Sequence, residues 1–198
     1  MLRFRRKKQS NRKPDLMVVG LGNPGGEYDR TRHNVGFEVL DRLAKAHKLK
    51  LSTFKHSARY VTWEHADKAV LLVKPMSFMN LSGQPVSALA RHYGLRPESI
   101  LVVADDLDLP VGQVKMKPKG GSGGHKGHKS IAQALGTDEY PRIKIGIDKA
   151  GETIDHVLSK FAPSERGAID TAVEKSWKTC ELFVEKGLDA AMNSCNSD

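Results

Sequence analysis

The sequence predicts an α/β fold: a single domain with a mixed, mainly parallel twisted sheet and helices on both faces, three layers in all. Three observations carry this. Short apolar runs bounded by glycine or polar turns, such as residues 16–21 and 100–104, have the composition of strands buried on both sides. Between them lie segments whose apolar residues recur every three or four positions, the pattern of helices packed by one face. A chain of 198 residues also has length for one sizeable core and little more.

In chain order, the strand at 16–21 leads into a polar loop over 22–34. Phe37, Leu40, Leu43, Ala44 and His47 then share one face of a helix over 35–49. Residues 58–65 and 69–73 read as two strands joined by a tight turn at Asp67 and Lys68, with loop from Lys74. Val86, Leu89, Ala90 and Tyr93 line a second helix that stops at Gly94. The run 100–104 is a buried strand, and 113–117 alternates as an edge strand does. Residues 120–127 hold too much glycine for helix or strand and lead into a helix near 129–135. Strict alternation returns at 142–147. The last third reads as one helix over 163–191, whose stripe of Ile169, Val173, Trp177, Cys180, Val184 and Leu188 assigns Trp177 to the core.

Composition excludes several classes. With 39% hydrophobic and 28% charged residues the chain is globular and not disordered. No apolar run approaches about 18 residues, so no membrane-spanning segment is expected. The two cysteines, Cys180 and Cys195, have neither metal-ligand spacing nor the numbers of a disulfide framework, which suits a reducing cytosol. The net charge of +9 is concentrated: residues 1–13 carry seven basic side chains and no acid, and removing those seven from the total of 32 leaves 25 against 23 acidic residues. Residues 1–14 therefore read as a basic flexible extension, attracted to a polyanion or merely solvated, ahead of a body over 15–192 and a short tail over 193–198. The extension lacks the apolar core of a secretory signal and is short for a transit peptide.

In parallel sheets, sites form where loops leave the carboxyl ends of strands. Asn23 and His33 follow the first strand, Asn80 follows the 69–73 strand, and Asp105 follows the 100–104 strand. If those strands are parallel neighbours, the four residues share one edge. The Gly20-Leu21-Gly22-Asn23-Pro24-Gly25 segment fits a dinucleotide-binding pattern, but about ten loop residues separate it from the next helix, so its glycines cannot seat a pyrophosphate on a helix N-terminus. Residues 123–130 (GGHKGHKS) lack the Gly-Lys-Ser/Thr triplet of an ATPase loop, although a glycine-rich turn opening a helix can cradle a phosphate with Lys126 and Lys129 nearby. His125 and His128 without a third ligand do not make a metal site, and none is expected. Of Asp105, Asp106 and Asp108, one carboxylate orienting a histidine and the others capping the turn before Pro110 is preferred to a cation site. His33 sits in a polar loop, where an imidazole base is useful.

Taken together, residues 18–25 (VVGLGNPG), 28–36 (YDRTRHNVG), Lys74-Pro75 with 78–83 (FMNLSG), 105–110 (DDLDLP) and Gly123-Gly124-His125 resemble the bacterial-type peptidyl-tRNA hydrolase family over about 16–191. The resemblance implies cleavage of the ester between a peptide and the 3′ ribose of tRNA, by a cytoplasmic monomer acting in translation and ribosome rescue with no metal, cofactor or obligate protein partner. It implies that His33 activates water, that Asp105 orients His33, and that Asn23 and Asn80 hold the substrate beside that water. Tyr28, Phe78, Met79, Gly124 and Lys126 fall around the same substrate pocket. Lys117 and Lys144 match basic positions that meet the tRNA 5′ phosphate, with Lys115 and Arg142 as neighbours. Lys126 departs from the asparagine many members carry after Gly-Gly-His. A non-catalytic RNA-binding homologue on the same fold is the competing reading, and a hydrolase of small esters or amides a third.

Overall fold

A computed structural model describes residues 12–150 and 153–197. Most of the basic extension, residues 1–11, lies outside the described residues. Pro14 is already buried, and Arg12 donates to the Asp67 carbonyl oxygen at 2.7 Å, so the end of that segment is joined to the turn that holds Asp67.

The strands are β1 (Leu16–Gly20), β2 (Thr53–Lys55), β3 (Ala58–His65), β4 (Lys68–Pro75), β5 (Ile100–Asp106), β6 (Val114–Lys117) and β7 (Arg142–Gly146). They form one sheet in the order β2-β3-β4-β1-β5-β7-β6. The central four, β4, β1, β5 and β7, are parallel, and β2, β3 and β6 flank them antiparallel, so the parallel character is confined to the middle. Every residue of β5 is buried, as an inner strand of a sheet covered on both faces must be.

The helices are α1 (Val35–Ala46), α2 (Gly83–Tyr93), α3 (Lys126–Leu135), α4 (Thr153–Leu158), α5 (Pro163–Lys186) and α6 (Leu188–Asn196). Alternation along each strand sends odd and even side chains to opposite layers. Val18, Leu72, Leu101, Val103, Ile143 and Ile145 meet α1, α5 and α6 on one face, while Val19, Leu71, Val102 and Ala104 meet α2 and α3 on the other. The three layers match the sequence expectation.

Several details differ from it. The expected single helix over 163–191 breaks at Gly187, whose φ of 85° no ordinary side chain adopts cheaply, and α6 turns back onto the sheet. The expected tail over 193–198 is therefore helical through Asn196, whose side chain bonds both the N–H and the C=O of Met116 on β6 at 2.9 Å. Trp177 is half-buried instead of a core residue. It flanks the layer and donates Nε1–H to Glu174 at 2.8 Å, while the smaller Ser176 and Thr179 occupy the buried positions beside it. β2 is a three-residue edge strand with no alternation to betray it. Gly94 caps α2 in the left-handed conformation, φ 60°, as expected.

The first turn of α1 sits directly on the sheet because two glycines face each other. A Cβ on Gly20 would lie 2.2 Å from the Gly36 carbonyl oxygen, and one on Gly36 would lie 2.4 Å from that of Val103. That approach lets Leu21 N–H bond Val103 O at 2.9 Å and Phe37 N–H bond Leu21 O at 3.1 Å, tying the β1 end, the β5 end and the helix together. We expect Gly36→Ala to cost about 1–3 kcal/mol in urea unfolding through overpacking; an unchanged midpoint would show the contact to be slack.

Candidate active site

Because β4, β1 and β5 are parallel neighbours, the segments leaving them converge at one edge of the sheet. They enclose a cleft of about 310 Å³ lined by Asn23, His33, Phe78, Met79, Asn80, Asp105, Gly124, His125 and Lys126 among others. Leu107 and the α4 residues Ile154, Val157 and Leu158 form an apolar wall, with Ile154 and Phe78 more than half exposed.

Asp105 lies at the base of the cleft, 3% exposed. His33 Nδ1 is 2.8 Å from its Oδ1 and 3.0 Å from its Oδ2, and His125 Nε2 is 3.0 Å from Oδ1. A carboxylate can only accept, so both rings present N–H to it. Burial by itself would push the Asp105 carboxyl up, but the two imidazoles and their hydrogen bonds outweigh it and hold the carboxyl well below the usual range. In the neutral ring this tautomer leaves the lone pair of His33 on Nε2, the arrangement a base requires.

The tautomer of His125 is fixed from its other side. Its Nδ1 accepts the backbone N–H groups of Gly127 and His128, at 3.1 and 3.3 Å, and so caps α3. With that lone pair committed, the ring hydrogen belongs on Nε2, where Asp105 accepts it. His33, Asp105 and His125 are the group among the described residues whose ligand atoms lie within 4.8 Å of one another. A cation there would have to displace either the helix cap or the imidazole-carboxylate bonds. His128 takes no part in it. Burial first, then the nearby His125 and Arg142, lower its pKa well below the ordinary imidazole value, and its Nδ1 lies 3.1 Å from the Tyr140 hydroxyl.

Asn23 is also held in one orientation. Asn34 bridges its backbone, accepting from Asn23 N–H at 2.8 Å and donating to Asn23 O at 2.9 Å. The Asn23 side-chain oxygen accepts from Met79 N–H at 2.8 Å, which leaves the amide N–H₂ as the end available to the cleft. Asn80 is exposed at the rim, and Tyr28 meets Phe78 edge-to-face with ring centroids 6.3 Å apart. The preceding residue to the histidine, Arg32, is buried in a bidentate pair with Glu165, 2.8 and 3.1 Å, and stacks on Phe161. This pair ties the His33 turn to the start of α5.

The sequence profile of peptidyl-tRNA hydrolases matches residues 17–198. The chain belongs to the peptidyl-tRNA hydrolase family. It is 45% identical to the peptidyl-tRNA hydrolase of Caldicellulosiruptor saccharolyticus, over 93% of this chain and 98% of that protein. It is 44% identical to that of Bacillus subtilis, over 92% and 98%. The crystal structure of peptidyl-tRNA hydrolase from Acinetobacter baumannii superposes with a TM-score of 0.88 at 34% identity, covering 95% of this chain and 97% of that one.

On the other side of the cleft, β6 and β7 pair Lys115 with Lys144 and Lys117 with Arg142, so the four basic residues share one face. They are not equivalent. Lys115 and Lys117 are exposed, whereas the Lys144 ammonium pairs with the Asp106 carboxylate and is half-buried. Arg142 does not fit the expected RNA contact: it is 2% exposed, donates to the carbonyls of Gly121 and Asp138 at 3.0 and 2.8 Å, and stacks on Tyr140. Its guanidinium braces the glycine-rich segment from beneath. Asp106 also accepts Asp108 N–H at 2.9 Å, the turn-capping bond foreseen for these acids.

Sequence reasoning missed His125 as a partner of Asp105, Asn34 as the clamp on Asn23, and the apolar wall from α4. The signals present were the Gly-Gly-His motif and the adjacency of Asn34 to His33. In Asp105→Asn an amide oxygen at the Oδ1 position can still accept from both rings, but the N–H₂ then stands at the Oδ2 position, 3.0 Å from His33 Nδ1–H, donor against donor. We expect a loss of about 1–3 kcal/mol at neutral pH in urea unfolding. The wild-type advantage is full above the ordinary carboxylate pKa of about 3.9 and shrinks as pH falls toward the depressed value in the fold. An advantage that does not shrink in acid would refute the imidazole-carboxylate account.

Proposed function

We propose that the chain hydrolyses the ester between a peptide and the 3′ ribose of tRNA, freeing the tRNA for translation. The observation that carries the mechanism is the contact of His33 Nδ1 with the buried Asp105 carboxylate at the floor of the cleft. His33 Nε2 takes a proton from water as the water oxygen bonds to the ester carbonyl carbon. The carbonyl electrons move to oxygen, giving a tetrahedral oxyanion. On collapse the bond to the ribose oxygen breaks, and the imidazolium returns its proton to that oxygen. The products are the peptide acid and tRNA with a free ribose hydroxyl.

A positioned base contributes roughly 10²- to 10⁴-fold, and a donor aimed at the oxyanion about 3–4 kcal/mol. The Asn23 N–H₂, oriented by Met79 N–H, suits the second task. Asn80 and Lys126 stand at the rim with donors toward the same space, and Lys126 serves the oxyanion or a terminal phosphate where other members carry asparagine. Tyr28, Phe78 and Met79, with the α4 wall, offer surface to adenine and to the peptide's side chains, and Gly124 leaves room beside them. Metal-independent chemistry is favoured because the His125 lone pair is tied to α3. On the RNA side, Lys115 and Lys117 are open to phosphate, and Lys144 reaches it beside Asp106. The body acts as a monomer in the cytoplasm. No helix among the described residues is long and apolar enough to cross a membrane.

The test is peptide release from a peptidyl-tRNA. His33→Ala should abolish release while binding tRNA almost as the wild type does; near-normal turnover would remove His33 as the base. Absence of release by the wild type would leave the non-catalytic RNA-binding reading. Lys117→Ala should weaken binding and lower the log-log salt slope by about 0.7–0.9, whereas Arg142→Ala should lower thermal stability and leave that slope as it is. The reverse pattern would exchange their roles.

A further inference from the structure

A second concave surface lies on the α1 side of the sheet, at its β2 edge. This groove of about 460 Å³ is lined by Lys45, Lys48, Lys50, Arg59 and Lys74, with the apolar floor of Ala44, Leu49 and Leu51. The one acidic side chain lining it, Asp41, is already held by both carboxylate oxygens to Lys74 Nζ, at 2.8 and 2.9 Å. The favourable field at the C-terminal end of α1 accounts for Lys45 and Lys48. It does not account for Lys50 and Arg59, which come from outside the helix and raise the local repulsion.

An aromatic ring stands beside this charge. Phe54 is 63% exposed on β2, directly opposite Arg59 on β3, whose guanidinium lies 6.0 Å from the ring centroid. Arg59 in turn faces Lys74 on β4, so Phe54, Arg59 and Lys74 form a row across three strands. The row leads back to the cleft. Lys74 Nζ sits 4.5 Å from the centroid of Phe37, and that ring packs against Gly22, the neighbour of Asn23. Phe37 thus touches both Lys74 of the groove and Gly22, the residue before Asn23 of the cleft.

We propose that this groove is a second RNA-binding site, in which Lys45, Lys48, Lys50 and Arg59 take backbone phosphates and Phe54 stacks on an unpaired base. It extends the hydrolase reading, on which it rests for the identity of the RNA: a tRNA, met at the edge of the sheet opposite β6. A ring amid cations is the arrangement that single-stranded or end-frayed RNA recognises, since phosphates meet the charge and every base has a face to stack. An acidic protein surface would use the lysines and have little use for an exposed phenyl ring.

The test measures binding of deacylated tRNA and of a CCA trinucleotide, too short to reach both sites, over a series of salt concentrations. For tRNA, the triple variant Lys45→Gln, Lys48→Gln, Lys50→Gln should lower the log-log salt slope by roughly 2–3. Phe54→Ala should weaken tRNA roughly fivefold or more with no change of slope. Trinucleotide binding should match the wild type in both. An unchanged tRNA slope, or an equal loss for the trinucleotide, overturns the proposal, as does a triple variant that loses binding to polyglutamate but not to tRNA. Peptide release by the wild type is scored separately: its absence counts against the hydrolase reading, while deacylated tRNA still decides the groove.

Discussion

A carboxylate placed at the end of a fully buried strand is costly unless hydrogen-bond donors surround it. Asp105 meets that cost with two imidazole N–H groups, and each donor is supplied by a different part of the chain: His33 from the loop after β1, His125 from the turn before α3. The requirement therefore organises more than one side chain. It draws the β1 loop and the glycine-rich segment onto the tip of β5 and fixes which ring nitrogens carry hydrogen. Where the carboxylate lies, and not any property of the loop itself, decides that Nδ1 of His33 carries the hydrogen and Nε2 the lone pair.

Backbone packing makes that meeting possible. Gly20 and Gly36 allow the first turn of α1 to touch the strand ends, so His33 is delivered at a fixed height above β5. Arg32, Glu165 and Phe161 secure the same turn from the opposite side. Met79 N–H and Asn34 do the corresponding work for Asn23. The acid-base pair and the amide donor are thus held by main-chain contacts together with the side chains of Arg32 and Asn34.

Much of this was legible before any coordinates of atoms. Strands buried on both faces announce themselves as unbroken apolar runs, and the carboxyl-edge rule then gathers Asn23, His33, Asn80 and Asp105. What escaped has a common cause: the signals are contextual. The start of α3 lay three residues earlier than expected because histidine is a rare cap, legible only once Nδ1 is seen accepting two N–H groups. Arg142 enters as a neighbour of Lys144 on one face of β7, but alternation says which residues share a face and not which helix or loop covers it. Trp177 fell on the helical stripe, yet the helix rotates to bury smaller neighbours. β2 is too short for any period.

The cap on α3 has a consequence for proton bookkeeping in the cleft. When the opening turn of that helix frays, His125 Nδ1 loses its two backbone donors and the ring is no longer held to one tautomer. Secondary structure here acts as the keeper of a tautomer: the winding of a few residues of helix decides which ring nitrogen meets Asp105.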